Sequence, residues 1–161
     1  MSIFRLLLAL SVSVSAAAEE LPRLGVPVEE SSVGSITVYP DGRGLPPGSG
    51  TAAEGAALYQ THCFSCHGIG GKDGINDALA GGQARTIGSY WPYATTVFDY
   101  VRRAMPYHSS GILSADETYS VVAYLLYVNG LLAEEEQLDE ARLVNIEMPN
   151  RAQFYSKFQL P

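Results

Sequence analysis

Two cysteines and a histidine lie close together near the middle of the chain, at Cys63, Cys66 and His67. Their pattern, C-x-x-C-H, is the attachment motif for c-type haem. Two thiols at this spacing can reach two vinyl groups on one edge of the flat macrocycle, and the adjacent histidine can coordinate the iron. The sequence therefore predicts one covalently attached haem c, with Cys63 and Cys66 as its attachment sites and His67 as an axial ligand.

The same residues allow three other interpretations. A redox-active C-x-x-C of the thioredoxin type belongs in a βαβ context, which this sequence does not show. A zinc site needs two more ligands at matching spacing, and the other histidines, His62 and His108, supply no second close pair. A plain disulfide would also suit an exported protein. Haem is favoured because the motif, an N-terminal export signal and flanking helices all agree with it.

Met105 is the candidate for the second axial ligand. It follows Val101 by one turn on the same face of a predicted helix, and Pro106 then turns the chain so that the thioether can point back. Met148 and His108 are the alternatives. Methionine opposite histidine is the ligand pair of electron-carrying cytochromes. With both axial positions filled, no coordination site stays open for a substrate, so this chain by itself is not expected to be an enzyme.

Two aromatic residues ahead of the same helix could line the haem pocket. Trp91 and Tyr93 bracket Pro92, and either side chain could hydrogen-bond a haem propionate. Ordinary core packing with a satisfied polar tip is the equal alternative. Three arginines could also pair with propionates but are more simply interpreted as solvated surface residues: Arg85, Arg102 and Arg103.

Three helices are predicted to position these residues. Thr51 and Glu54 form a capping box that starts the first helix, which is expected to end near Thr61. The second helix follows Pro92 and ends before Pro106, because a proline disfavours the helical conformation of the residue before it.

The third helix is the one best marked at both ends. Ser114 and Glu117 form a second capping box, and Asn129 with Gly130 ends the helix. Residues 68–88 are rich in glycine and are predicted to be mostly loop. The first and third helices are expected to cross near three residues: Gly55, Tyr59 and Tyr124.

The remaining segments flank this part of the chain. Residues 1–18 combine Arg5, an apolar stretch and small residues before Glu19, which is the pattern of a cleaved signal peptide and places the mature protein in the periplasm. Residues 19–50 are rich in proline and glycine. They are predicted to form an extended arm on the domain surface or on a partner, with one possible strand at 35–39.

The compact haem-binding domain is predicted over residues 51–130, followed by a C-terminal tail over residues 131–161. The tail contains an acidic run at 134–140, which is expected to be solvated surface.

Composition limits the classes of partner. The 161 residues carry a formal net charge of −7, which argues against nucleic acid, since backbone phosphates require Lys and Arg, and against an anionic membrane surface. Hydrophobic residues make up 47% of the chain, enough to bury a core. The longest apolar run is at the N-terminus and is too short to span a bilayer, so no membrane insertion is expected after signal removal.

Five segments resemble a known family. They resemble the monohaem cytochrome c subunit of bacterial sulfite dehydrogenase and the cytochrome domain of the sulfane dehydrogenase of the thiosulfate-oxidising system. The most specific is SYWPYATTVFDYVRRAMP, and the resemblance covers about residues 35–154. In this family the axial ligands are the C-x-x-C-H histidine and the methionine of the RAMP segment, here His67 and Met105. The five segments are residues 44–59, 63–68, 86–106, 113–130 and 148–151.

The resemblance implies an all-α, class I-like cytochrome c fold and a role as a one-electron carrier. A partner subunit with a molybdenum cofactor would oxidise a sulfur compound, and this chain would pass the electrons to a downstream cytochrome c or terminal oxidase. A single C-x-x-C-H favours the sulfite-type arrangement or a free-standing carrier. The alternatives are a free-standing soluble shuttle, a haem-based enzyme or sensor with a displaceable ligand, and a haem-free C-x-x-C redox protein.

Overall fold

Helices dominate the computed structural model, which describes residues 36–82 and 85–154. Single 3₁₀ turns lie at Ile69–Gly71, Tyr107–Ser109 and Arg151–Gln153. Two short strands, β1 (Ser49–Gly50) and β2 (Leu138–Asp139), pair in antiparallel fashion. Among the described residues, no helix has both the length and the apolar character needed to cross a membrane. The α-helices of this part are α1 (Ala52–His62), α2 (Phe64–His67), α3 (Ala94–Ala104), α4 (Ala115–Tyr127) and α5 (Glu140–Val144).

Both predicted capping boxes are confirmed. At the start of α1, the Thr51 side chain accepts a hydrogen bond from the Glu54 N–H, and the Glu54 carboxylate accepts the Thr51 N–H at 2.8 Å. Ser114 and Glu117 make the same reciprocal pair at the start of α4. Each box satisfies backbone donors that a helix N-terminus otherwise leaves unpaired. The starts of α1 and α4 are therefore marked by pairs of residues three apart in the sequence.

The predicted crossing of α1 and α4 is confirmed. Gly55 lies so close to α4 that a Cβ placed on it would be 1.9 Å from the Ser120 carbonyl oxygen. One turn further along α1, the Tyr59 ring packs against Tyr124 with 4.9 Å between ring centroids. The two backbones can approach this closely only because residue 55 has no side chain.

Helix α3 packs on the other side of α4. The Phe98 ring is fully buried and lies 4.5 Å from the Tyr119 ring, measured between centroids. Asp99 on the same helix is buried, where its carboxylate accepts the Val38 N–H at 2.8 Å and the Arg103 Nε–H at 3.0 Å. A buried carboxylate that is paired in this way ties the arm to the helical core. Arg103 is therefore a partner of Asp99 rather than a merely solvated residue.

The possible strand at 35–39 was wrong for its described part. Residues 36–39 have no regular secondary structure. The Val38 N–H is bound by Asp99, and the Tyr39 N–H and carbonyl are used in a turn with Arg43 and Gly42. Residues 36–39 pair with no strand in the part of the chain that the structure describes. The arm instead forms its strand at β1, and residues 1–35, with the predicted signal peptide, lie outside the described residues.

The described part of the tail is a structural component of the core, which the sequence did not indicate. Leu138 and Leu143 are almost completely buried, and α5 was not predicted. Within the acidic run, Asp139 caps α5 by accepting the Arg142 N–H at 2.8 Å, and Glu136 pairs with the Arg142 side chain. The interpretation as solvated surface holds for the exposed residues Glu134, Glu135 and Glu140.

The helix crossing generates a stability prediction. We expect Gly55→Ala to lower the free energy of unfolding by about 1–3 kcal/mol, because the added methyl collides with backbone that cannot rotate away. The same substitution at Gly82 is the matched control, since a Cβ there meets nothing within 4 Å. Chemical unfolding of the haem-loaded protein measures both values. A Gly55→Ala protein as stable as the Gly82→Ala protein would contradict the close crossing.

Candidate functional site

The two cysteines lie on a tight turn where α1 ends and α2 begins. The Cys63 N–H donates to the Tyr59 carbonyl at 2.9 Å, and the Cys63 carbonyl accepts from the N–H groups of Cys66 and His67 at 3.1 and 2.9 Å. The thiols are therefore about one helical turn apart on a hydrogen-bonded scaffold. Neither is part of a disulfide.

The environment of Cys63 does not suit thiol–disulfide exchange. Its side chain packs against the hydrophobic core, and burial raises the pKa of the Cys63 thiol to about 11, with the nearby Cys66 adding to the rise. Disulfide exchange and nucleophilic chemistry need a thiolate, usually obtained by lowering this pKa. The raised pKa therefore disfavours redox cycling by Cys63.

The imidazole of His67 has a defined orientation. Its Nδ1 lies 3.1 Å from the backbone carbonyl oxygen of Asp77. Because a carbonyl oxygen can only accept, a neutral imidazole in this position places its proton on Nδ1 and leaves the Nε2 lone pair available. A metal-ligating histidine is commonly held in this way by a hydrogen bond from its other nitrogen. The predicted ligand role of His67 would therefore use Nε2.

The loop that supplies this carbonyl packs directly beneath the motif. The Asn76 N–H donates to the Cys66 carbonyl at 3.0 Å. A Cβ on Gly74 would lie 2.3 Å from the same Cys66 oxygen, and a Cβ on Gly68 would lie 1.9 Å from the Lys72 carbonyl oxygen. The glycine-rich loop was predicted, but not that its glycines permit this backbone contact.

Tyr59, for which the sequence predicted only a packing role, also contacts the site. Its buried hydroxyl donates to the Gly68 carbonyl at 2.9 Å, immediately after the motif. Burial raises the pKa of Tyr59 to about 12, and the nearby Gly71 backbone amide opposes part of the rise. The phenol therefore stays protonated near neutral pH and remains a donor. Its spacing of four residues before Cys63 is the one signal that could have indicated this contact.

Met105 terminates α3 at the edge of the core. Its N–H donates to the Val101 carbonyl at 3.1 Å, which completes the last turn of the helix. The half-buried side chain packs against the same core cluster as Cys63 and Trp91. Trp91 also contacts Tyr100 edge to face, with 5.6 Å between ring centroids. The fold thus brings Cys63, Trp91 and Met105 to the border of one hydrophobic cluster.

Tyr93 and Met148 occupy a different place. Both line a cavity of about 570 Å³ between the start of α3 and the segment after α5, whose lining includes neither the C-x-x-C-H residues nor Met105. The Arg151 guanidinium lies 4.2 Å from the centre of the Tyr93 ring. Met148 is 3% exposed and belongs to the core, and His108 is exposed. The haem-pocket role of Tyr93 stays a prediction.

The donor set fits a covalently held haem. The motif offers two free thiols and an imidazole whose Nδ1 faces the Asp77 carbonyl, and α3 ends in a thioether at the border of the shared core. One imidazole and one thioether leave an iron ion short of ligands unless a porphyrin supplies four nitrogens. Within the described ranges, no three His, Cys, Asp or Glu side chains are placed together to hold a metal ion.

Comparison with known proteins agrees with this chemistry. Residues 50–125 match the family described as cytochrome c oxidase, cbb3-type, subunit III. A chain of the crystal structure of sulfane dehydrogenase SoxCD from Paracoccus pantotrophus is 43% identical, with a TM-score of 0.72 over 84% of this chain and 70% of that chain. No curated protein sequence matches. The chain therefore belongs to the cytochrome c family, as an all-α, class I-like electron-transfer haem protein related to the SoxCD cytochrome subunit.

Proposed function

We propose that this chain is a periplasmic one-electron carrier with one covalently attached haem c. We further propose that it is the electron-accepting subunit of a molybdenum-containing sulfite or sulfane dehydrogenase. The proposal of a molybdenum-containing partner is supported by the 43% identity to a SoxCD chain over most of this sequence. The observation that supports the cofactor is the pairing of free thiols with a histidine oriented by Asp77.

Cys63 and Cys66 hold the cofactor in this proposal. Each thiol adds across one vinyl group, so that sulfur bonds to one carbon, hydrogen goes to the other, and no oxidant is consumed. Nε2 of His67 and the thioether sulfur of Met105 would hold the haem iron. When bound, the haem iron takes up and releases one electron.

The same ligand pair explains why the chain is proposed as a carrier and not as a catalyst. With His67 and Met105 both bound to the iron, no coordination site would remain for a substrate. Oxidation of sulfite to sulfate, with water as the source of the added oxygen, releases two protons and two electrons. One haem accepts only one electron at a time. We therefore assign that step to a molybdenum-containing partner, which delivers its electrons one at a time. A downstream cytochrome c or terminal oxidase would then reoxidise this chain.

The described part of the arm contributes to the fold of the domain itself. Residues 36–50 contribute Val38 to the core and β1 to the pairing with β2, so they belong to the domain's own fold. We therefore propose residues 19–35, which precede this part, as the segment of the arm to delete in a test for a partner contact. The predicted signal peptide over residues 1–18 supports a periplasmic location in this proposal.

The first prediction concerns attachment. Haem should remain with the polypeptide in acidified acetone, because thioether bonds survive this treatment. Replacing Cys63 and Cys66 by Ala should give a chain without covalent haem and with much lower stability. Haem staining after denaturing electrophoresis measures the bond directly. Complete extraction of haem from the unmodified protein would contradict covalent attachment.

The second prediction concerns the sixth ligand. Met105→Ala should abolish the weak near-infrared band between methionine and ferric iron, and should lower the reduction potential because a thioether favours ferrous iron. Met148→Ala is the matched control, since Met148 lines the cavity beside the start of α3, and Met105 does not. It should keep the band while losing stability by about 2–5 kcal/mol, as expected for a buried methionine. The reverse pattern would assign the ligand to Met148.

The third prediction concerns the partner. Affinity purification from the native host should recover molybdenum with the cytochrome in a stable complex. On anaerobic mixing, sulfite or a sulfane-sulfur compound should reduce the haem rapidly with this complex and only negligibly with the isolated cytochrome. Deletion of residues 19–35 should weaken the complex without changing the haem spectrum.

Other outcomes of these experiments would identify the alternatives. An eluate without molybdenum, from a protein that exchanges electrons normally with soluble donors, would indicate a free-standing shuttle. Rapid binding of carbon monoxide by the reduced protein would indicate a displaceable ligand, as in a sensor or haem-based enzyme. Turnover of sulfite by the isolated chain would contradict the carrier role itself.

A further inference from the structure

Tyr59 links the crossing of α1 and α4 to the loop that follows the C-x-x-C-H motif. Its ring lies in the crossing of α1 and α4, 4.9 Å from the Tyr124 ring, and it is 2% exposed. Its hydroxyl reaches out of this crossing and donates to the Gly68 carbonyl at 2.9 Å. A single side chain therefore links the rigid helix pair to the backbone that leaves the C-x-x-C-H motif.

The segment held by this contact is the loop that orients His67. The loop leaves the motif at Gly68 and returns to it where the Asp77 carbonyl accepts the Nδ1 hydrogen bond of His67, at 3.1 Å. Next to this point the Asn76 N–H donates to the Cys66 carbonyl at 3.0 Å. Tyr59 holds the departing end of the loop, and the acceptor for His67 lies at the returning end.

The loop has little room to absorb a displacement. A Cβ on Gly68 would be 1.9 Å from the Lys72 carbonyl oxygen, and a Cβ on Gly74 would be 2.3 Å from the Cys66 oxygen. At both positions the loop backbone lies against other backbone atoms, which cannot move aside by rotating a side chain. We therefore expect a shift of Gly68 to displace the carbonyl that faces His67.

We propose that Tyr59 is a positioning residue for the axial histidine, in that its hydroxyl holds the loop whose Asp77 carbonyl accepts the His67 Nδ1–H. This inference rests on the proposed ligation of iron by His67. A hydrogen bond from Nδ1 increases the basicity of the ligating nitrogen, which stabilises the oxidised form of the metal. Loss of the Tyr59 hydroxyl should lengthen this bond and raise the reduction potential.

Tyr59→Phe tests the proposal in the haem-loaded protein, because it removes only the hydroxyl and keeps the ring in the helix crossing. Tyr124→Phe is the matched control, since it removes the hydroxyl of the neighbouring ring in the same crossing. We expect Tyr59→Phe to increase the equilibrium constant for reduction by roughly two- to tenfold, where tenfold corresponds to about 59 mV for one electron. Tyr124→Phe should leave this constant unchanged.

A second measurement reports on the histidine itself. The Nδ1 proton of His67, observed by NMR in the reduced protein, should exchange with solvent faster in Tyr59→Phe than in the unmodified protein or in Tyr124→Phe. A purely structural role for Tyr59 would lower the unfolding free energy but would leave the potential and this exchange rate unchanged. That result, or an equal shift in both variants, would overturn the proposal.

Spectra of the unmodified protein distinguish a failure of this inference from a failure of the proposed function on which it rests. If its spectra lack an axial histidine, the proposed ligation fails whatever Tyr59→Phe does. If axial histidine and methionine are both present and Tyr59→Phe leaves the potential unchanged, the carrier role stands and only the positioning role of Tyr59 is wrong.

Discussion

The close contact between α1 and α4 at Gly55 determines where the haem motif lies. A side chain at this position would occupy the space of the Ser120 carbonyl, so the two helix backbones meet directly. One turn later this contact brings Tyr59 against Tyr124. One further turn brings the chain to Cys63, whose N–H completes α1. The position of the motif is thus fixed by a helix pair that contains none of the proposed ligands.

From this anchored end, the site is built mainly from backbone atoms. The acceptor for His67 is the Asp77 carbonyl, and the loop is seated by the Asn76 N–H and by close contacts at Gly68 and Gly74. A backbone carbonyl can be supplied by any residue type, so no sequence motif identifies it. This is why the residues that bind could be named from the sequence, whereas the group that orients the histidine could not.

The same distinction explains which parts of the fold were predictable. Helix starts depend on residues three apart, so the boxes at Thr51 and Ser114 were sufficient to place α1 and α4. The arm and the tail depend on partners far away in the sequence. Val38 is bound by Asp99, and Leu138 is buried beside a strand 88 residues earlier, as shown by the Gln137 to Ser49 hydrogen bond. The alternation of polar and apolar residues within a short segment cannot reveal contacts between residues that are far apart in the sequence.

The reliance on backbone contacts also suits the proposed role. A carrier changes the charge on its metal by one unit in each cycle, and transfer is easiest when the surrounding dipoles need little rearrangement. Backbone groups held by hydrogen bonds and by glycine contacts have fewer ways to reorient than long side chains have. The imidazole of His67 is held by such a group, and the Tyr59 hydroxyl holds the start of the same loop against the crossing of α1 and α4. In the proposed carrier, these two hydrogen bonds and the loop between them would link the helix crossing to the proposed iron ligand.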